Sequence, residues 1–242
     1  MKNLILKHFY NFIGPTNKNQ MRVLIFHDIE KKNFYKFQYI MEYIQKNFNI
    51  ITPEEFKMFL EGGLDKTSSK MNILLTFDDG YKSQKIIAEK FLNPNNIKAL
   101  FFLVSDFINI DSKIVAQNFI RNNFYKKKYN GFLDGDIENM NVDDVNFLIN
   151  SGHSLGAHTK THIQLSKIKN EDTLISEIVD CKKSLEDISS RIKIDDFAYT
   201  FGDFASIDKN SLAHIKKNYK YIYSGLRGNN LKIKKILFVV MQ

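Results

Sequence analysis

Short, unbroken apolar runs alternate with amphipathic stretches along the chain, and this pattern limits the fold more than any other feature. Val23-Leu24-Ile25-Phe26, Ile73-Leu74-Leu75-Thr76-Phe77 and Ala99-Leu100-Phe101-Phe102-Leu103-Val104 are almost wholly apolar. That suits strands covered on both faces. Between them, Phe34, Phe37, Ile40, Met41 and Ile44 share one face of a helix expected over 33–48. Thr52-Pro53-Glu54-Glu55 has the composition of a helix start: a cap, a proline in the first turn, then acids. Residues 82–91, 171–188 and 208–217 also read as helical, and 154–157, 197–199 and 221–223 as short strands. Residues 113–150 read as an insertion with helical patterns near 114–125 and 141–150. Strand–helix alternation implies parallel strands joined by crossover helices, hence an α/β sheet or barrel with helices outside. The length of 242 residues suits one α/β barrel. Such folds place their chemistry at the carboxyl ends of strands, which directs attention to His27, Asp78, Asp79, His158 and Thr200.

Asp78-Asp79-Gly80 is by itself a turn signal. Its position raises it, because two adjacent carboxylates closing an apolar strand repel each other unless a cation is present. His158-Thr159-Lys160-Thr161-His162 brings two imidazoles to one face if helical, or within reach of one ion if looped. Standing alone, the pair reads more readily as surface or capping histidines. With Asp79 it makes two nitrogens and one carboxylate oxygen, which leaves a coordination position open as catalytic zinc sites do.

Thr76-Phe77-Asp78-Asp79-Gly80 and His158-x3-His162, in this order, resemble the first two motifs of the polysaccharide deacetylases, the NodB-type carbohydrate esterases. Phe197-Ala198-Tyr199-Thr200-Phe201-Gly202 is similar to the third. The resemblance runs from about residue 21 to 228. It implies a distorted (β/α)7 barrel, a single domain over 21–242; residues 1–20 read as a helical segment before it. The resemblance also implies a divalent metal, zinc first, with cobalt, nickel or manganese able to fill the same donor set. By resemblance the metal ligands are Asp79, His158 and His162, the general base is Asp78, and the backbone N–H of Phe201 is the oxyanion donor. The layout is closest to the poly-N-acetylglucosamine deacetylase branch, where a His at the place of His27 serves as general acid. The implied substrate is an acetylated sugar or polysaccharide precursor of a bacterial surface polysaccharide, deacetylated at nitrogen in preference to oxygen.

The chain departs from the family in its supporting residues. Ala198 stands where an orienting Arg is usual and Thr200 where a Pro is usual. No His follows His214, there is no Trp for the fourth motif, and Arg227 is a candidate substrate or support residue. The end after Phe238-Val239-Val240 suggests a truncated or divergent member. A catalytically impaired barrel serving as a carbohydrate-binding or scaffold protein is therefore the second reading.

Other classes are disfavoured. The net charge of +8 is spread along the chain, without the basic cluster and aromatic platforms of nucleic-acid binding. The single cysteine, Cys181, excludes an internal disulfide and falls in a helical pattern as a core residue. No stretch reaches membrane-span length, and the start does not read as a signal peptide, so a cytoplasmic protein is expected. Leu4, Ile5, Phe9, Phe12 and Ile13 share a helix face that can pack on the barrel or, through residues 1–14, make weak contact with the inner membrane.

Overall fold

A computed structural model describes residues 21–63, 70–126, 137–226, 228 and 238–240. The N-terminal segment 1–20 and Arg227 lie outside the described residues. The strands are β1 (Met21–Phe26), β2 (Asn49–Ile50), β3 (Asn72–Asp79), β4 (Leu100–Leu103), β5 (Ser154–Ala157), β6 (Asp196–Ala198), β7 (Tyr221–Ser224) and β8 (Phe238–Val240). They form one sheet in the order β1-β3-β4-β5-β6-β7-β8, with β2 off that path against the start of β3. Every pairing is parallel. β8 comes back near β1, so the sheet curves into the distorted barrel that the resemblance implied.

Parallel strands need crossovers, and helices supply them: α1 (Phe34–Asn47), α2 (Pro53–Leu60), α3 (Lys82–Ile87), α4 (Lys113–Asn123), α5 (Val142–Asn150), α6 (Glu171–Ile175), α7 (Cys181–Glu186) and α8 (Lys209–Asn218). π-helical stretches at Ala88–Leu92 and Ser176–Asp180 extend α3 and join α6 to α7. α2 starts as its sequence dictates, on a capping box between Thr52 and Glu55 with Pro53 in the first turn. Within the 113–150 segment, α5 is the ordinary crossover from β4 to β5 and buries Val145 and Leu148 in the main core. α4 is the added part. It builds a small core of its own with Tyr81, Val104, Phe107, Ala116 and Ile120.

Strand residues alternate between two cores, as the pleat requires. Met21, Val23, Leu74, Leu100, Phe102, Ala198, Tyr221 and Tyr223 fill the barrel, and Phe56, Phe59 and Leu60 of α2 belong to the same cluster. α2 is tied there by Lys57, whose ammonium lies 2.6 Å from the buried Asp196 carboxylate. The Tyr223 hydroxyl donates to the same carboxylate at 2.9 Å. On the outer face Phe26, Phe77 and Phe101 sit in register on three neighbouring strands. Their rings stack at 5.3 and 4.9 Å. This ladder fixes β1 against β3 and β4, and with them the register of the strand ends that carry His27 and Asp78-Asp79.

His153 closes the ladder edge-on to Phe101 at 5.2 Å. Its Nδ1 accepts from the Ala99 N–H at 3.2 Å, so Nε2 carries the proton, 3.1 Å from Asn93 Oδ1. No room is left for a second proton. Burial, with the charge of Lys98, pushes its pKa down to about 4. The unfolded chain binds a proton below the ordinary value near 6.5, which the native state refuses until about pH 4. Stability is therefore expected to fall as pH drops through that window, by roughly 3 kcal/mol from this residue. Denaturant unfolding of the wild type and His153→Gln between pH 7 and 4.5 measures it. Parallel pH slopes for the two proteins would remove His153 as the cause.

Candidate active site

The carboxyl ends of β1, β3, β5 and β6 open on one cleft of about 270 Å³, lined by Ile25, His27, Asp78, Asp79, Phe124, His158, His162, Tyr199, Phe201, Gly202 and Gly225. His27, Asp78, Asp79, His158, His162 and Phe201 are among them, whereas Thr200 is not and Arg227 lies outside the described residues. β3 is buried along its whole length, and its last residue leaves the strand conformation, since Asp79 has φ 84°. A non-glycine residue in that region is strained. Here the strain turns a carboxylate out of the pleat and toward the two histidines. Gly80 follows at φ 100°, and a Cβ there would stand 2.8 Å from Ile108 Cδ1; only glycine suits the turn.

The His-x3-His segment is a loop, with Thr159 and His162 at φ 64° and 65°. Buried Glu177, from the stretch between α6 and α7, holds it in place. Its carboxylate accepts from the Lys160 and Thr161 N–H groups, both at 2.9 Å, and from the Thr161 hydroxyl at 2.7 Å. The His162 N–H donates to Thr159 Oγ1 at 2.9 Å. Nothing in the sequence motif marks Glu177, which comes 15 residues after the second histidine.

Ligand atoms of Asp79, His158 and His162 all lie within 4.8 Å of one another, and all three residues are buried. His158 Nδ1 lies 2.7 Å from the Ala198 carbonyl, and His162 Nδ1 lies 2.9 Å from the Asn123 carbonyl. A carbonyl can only accept, so both Nδ1 atoms carry protons. The Nε2 atoms then face Asp79 Oδ1, 3.6 and 3.3 Å away. That oxygen has no hydrogen-bond partner among the described residues. Two imidazole Nε2 atoms and a carboxylate oxygen converge on one point, an arrangement that a single cation satisfies. Without a metal, a proton on His162 plays that part. Burial works against the Asp79 anion, but the neighbouring His162 outweighs it and brings the carboxyl down to about 2. Burial likewise opposes a charged His162, and Asp79 overcomes it so that the pKa rises. His158 is pushed down to about 3 by burial and then by His162, leaving its lone pair available. Donor type, convergence and carbonyl-fixed tautomers fit a divalent metal such as zinc.

Asp78 lies beside this set with one buried oxygen unpartnered among the described residues. Burial, then the charge of Asp79, raises its carboxyl to about 7, against the opposing influence of His27 and His162. Gln84 holds its backbone carbonyl through the side-chain amide. Among the described residues, no arginine lines the cleft in place of the missing third-motif residue. Ala198 is buried in the barrel beside Phe102 and Tyr223, whose rings meet at 4.8 Å. His27 follows the last residue of β1 and is exposed at the cleft. Phe201 has φ 62°, its N–H donates to no group among the described residues, and its ring meets His162 edge-on at 5.0 Å. The Thr200 hydroxyl donates to the Ile163 carbonyl at 2.6 Å, tying the third motif to the second. His214 is away from the cleft, with Nε2 2.6 Å from Glu171. Cys181 is a buried core residue, its thiol pushed up to about 12 by burial. α4 reaches the site through the Asn123 carbonyl and through Phe124, whose ring packs on His162 at 4.7 Å.

Residues 65–222 match the family model described as polysaccharide deacetylase. No curated protein sequence matches the chain. Among solved structures, IcaB from Ammonifex degensii is similar at a TM-score of 0.68 and 16% identity, covering 92% of this chain and 91% of that one. The Streptococcus pyogenes deacetylase PplD, solved with acetate, is similar at 0.67 and 16%, with 93% and 92% covered. The BpsB deacetylase domain from Bordetella bronchiseptica is similar at 0.66 and 14%, with 94% and 98% covered. At these identities the structural likeness speaks for the fold.

Proposed function

The chain belongs to the polysaccharide deacetylase family, and on that premise we propose that it is a metal-dependent hydrolase. It removes an acetyl group, from nitrogen in preference to oxygen, from a sugar or polysaccharide precursor of a bacterial surface polysaccharide. One observation carries the metal dependence: Asp79 Oδ1 and the Nε2 atoms of His162 and His158, 3.3 and 3.6 Å from that oxygen, converge while both Nδ1 atoms are taken up by backbone carbonyls.

Asp79, His158 and His162 would hold the cation. When bound, it would polarise the acetyl carbonyl and acidify water, the usual contributions of zinc in hydrolases. The chain's own groups carry the protons. The Asp78 carboxylate takes one proton from the attacking water as its oxygen bonds to the acetyl carbon. The Phe201 N–H donates to the oxygen on which negative charge develops, a contribution of about 3 kcal/mol when such a donor is fixed in advance. His27, exposed across the same cleft, donates a proton to the departing amine as the C–N bond breaks. The products are acetate and a free amino sugar.

Acetate release from N-acetylated oligosaccharides by the zinc-loaded protein tests this reading. His27→Ala is expected to lower kcat by about 10²-fold or more with zinc still bound. Unchanged turnover would place the acid elsewhere. The impaired-barrel reading draws support from Ala198 and from the unpartnered Asp78 oxygen. It requires zinc-loaded protein that binds oligosaccharide and releases no acetate.

A further inference from the structure

Phe204 is the most exposed large hydrophobic residue of the described structure, with 79% of its surface in water. Full burial of such a ring is worth about 1.5–3 kcal/mol, so its exposure on a well-tied loop calls for an explanation. The loop is held on several sides. Gly202 has φ 64°, and a Cβ there would stand 2.4 Å from the Gly225 nitrogen. Gly225 N–H donates to the Gly202 carbonyl at 3.0 Å. The Asp203 carboxylate takes the Ser206 hydroxyl and pairs with Lys126. The Ala205 carbonyl accepts from Gln164 Nε2 at 2.8 Å and from the Ser166 hydroxyl.

Two other exposed apolar side chains sit on the loops tied to this one. Ile163, 36% exposed, follows His162, and Tyr125, 41% exposed, follows Phe124. Phe201, His162 and Phe124 all line the cleft. The three exposed side chains therefore stand one to three residues outside the catalytic wall, on neighbouring loops joined by Gln164–Ala205 and Lys126–Asp203.

We propose that Phe204, flanked by Tyr125 and Ile163, is a stacking subsite for the sugar ring next to the one that loses its acetyl group. The substrate is then a chain of sugars rather than a single unit. The proposal rests on the deacetylase reading above. A pyranose with equatorial substituents offers a face of C–H bonds, weakly positive, to the negative face of an aromatic ring. Its hydroxyls lie at the edge, where Asp203, Lys126 and Gln164 supply charges, donors and acceptors. A cleft of about 270 Å³ has room for little more than one sugar residue, so the neighbouring residues of a polymer must rest on its rim. A lipid surface suits this patch less well, because an ion pair and an amide interrupt its apolar residues.

The test compares N-acetylglucosamine with its β-1,4 and β-1,6 pentamers on the zinc-loaded wild type, Phe204→Ala and Phe204→Tyr. Binding is read by calorimetry and turnover by acetate release. Phe204→Ala is expected to weaken pentamer binding and raise pentamer KM roughly five- to tenfold, the range of one aromatic contact. Monomer affinity, kcat and the melting temperature stay unchanged, and Phe204→Tyr restores the pentamer preference. Equal effects on monomer and pentamer, no effect on either, or a wild type that does not favour a pentamer would overturn the subsite. So would loss of binding to anionic phospholipid vesicles in Phe204→Ala with pentamer affinity intact. Pentamer binding that depends on Phe204 without acetate release from any sugar would support the subsite and defeat the catalytic reading.

Discussion

Asp78→Asn is expected to slow acetate release by a factor of about 10²–10⁴ while the metal content of the protein stays that of the wild type. The substitution keeps the volume and shape of the side chain and removes only its capacity to take a proton. Asp78 does not join the cluster of ligand atoms formed by Asp79, His158 and His162, so the cation's three protein donors are untouched. Removing a buried carboxylate beside Asp79 also relieves a repulsion, since the charge of Asp79 is among the causes that raise the Asp78 carboxyl. The variant should therefore be no less stable than the parent. A large kinetic loss without loss of metal or stability separates a proton acceptor from a structural acid. Full acetate release by Asp78→Asn would remove Asp78 as the base.

The second large effect is expected at Asp79. Asp79→Asn replaces the one anionic donor of the set, and Asn cannot supply the negative charge against which His162 is poised. Zinc affinity should fall by more than the roughly 10- to 100-fold usual for losing an outer-shell partner, and acetate release should fall with it. Stability should fall as well. Without metal, His162 outweighs the cost of burial and holds the Asp79 carboxyl down to about 2, so the anion stabilises the native state at neutral pH. Metal-stripped Asp79→Asn is thus expected to melt below metal-stripped wild type. Only the wild type should gain from added zinc, since a ligand that binds the folded state alone raises its stability. A variant that gains as much from added zinc as the wild type would mean that Asp79 does not hold the cation.

The donors of the site were legible in the sequence because they close apolar strands. Asp78 and Asp79 end β3, and His158 follows β5. A run of buried β-rich residues announces where such ends fall. The surroundings were not legible, for two physical reasons. The first is that the groups fixing the imidazoles are backbone carbonyls, those of Ala198 and Asn123. A carbonyl belongs to every residue and leaves no mark in a pattern of side-chain types. Ala198 stands out in the sequence as a lost arginine, and its contribution in the structure is its carbonyl on His158. The second reason is distance along the chain. A His-x3-His spacing fits a helix turn and a loop equally well, and the loop is selected by Glu177 from a separate crossover. α4 likewise reads as an insertion, although its last turn completes the His162 environment.

The central claim is that Asp79, His158 and His162 hold one catalytic cation. X-ray absorption at the zinc edge, on metal-stripped protein reloaded with zinc, addresses it most directly. One zinc per chain is expected, with two imidazoles at about 2.0–2.1 Å, oxygen in the remaining positions and no sulfur. Asp79→Asn under the same loading should retain little or no zinc. Wild-type protein that takes up no zinc, or a spectrum showing sulfur or fewer than two imidazoles, would contradict it.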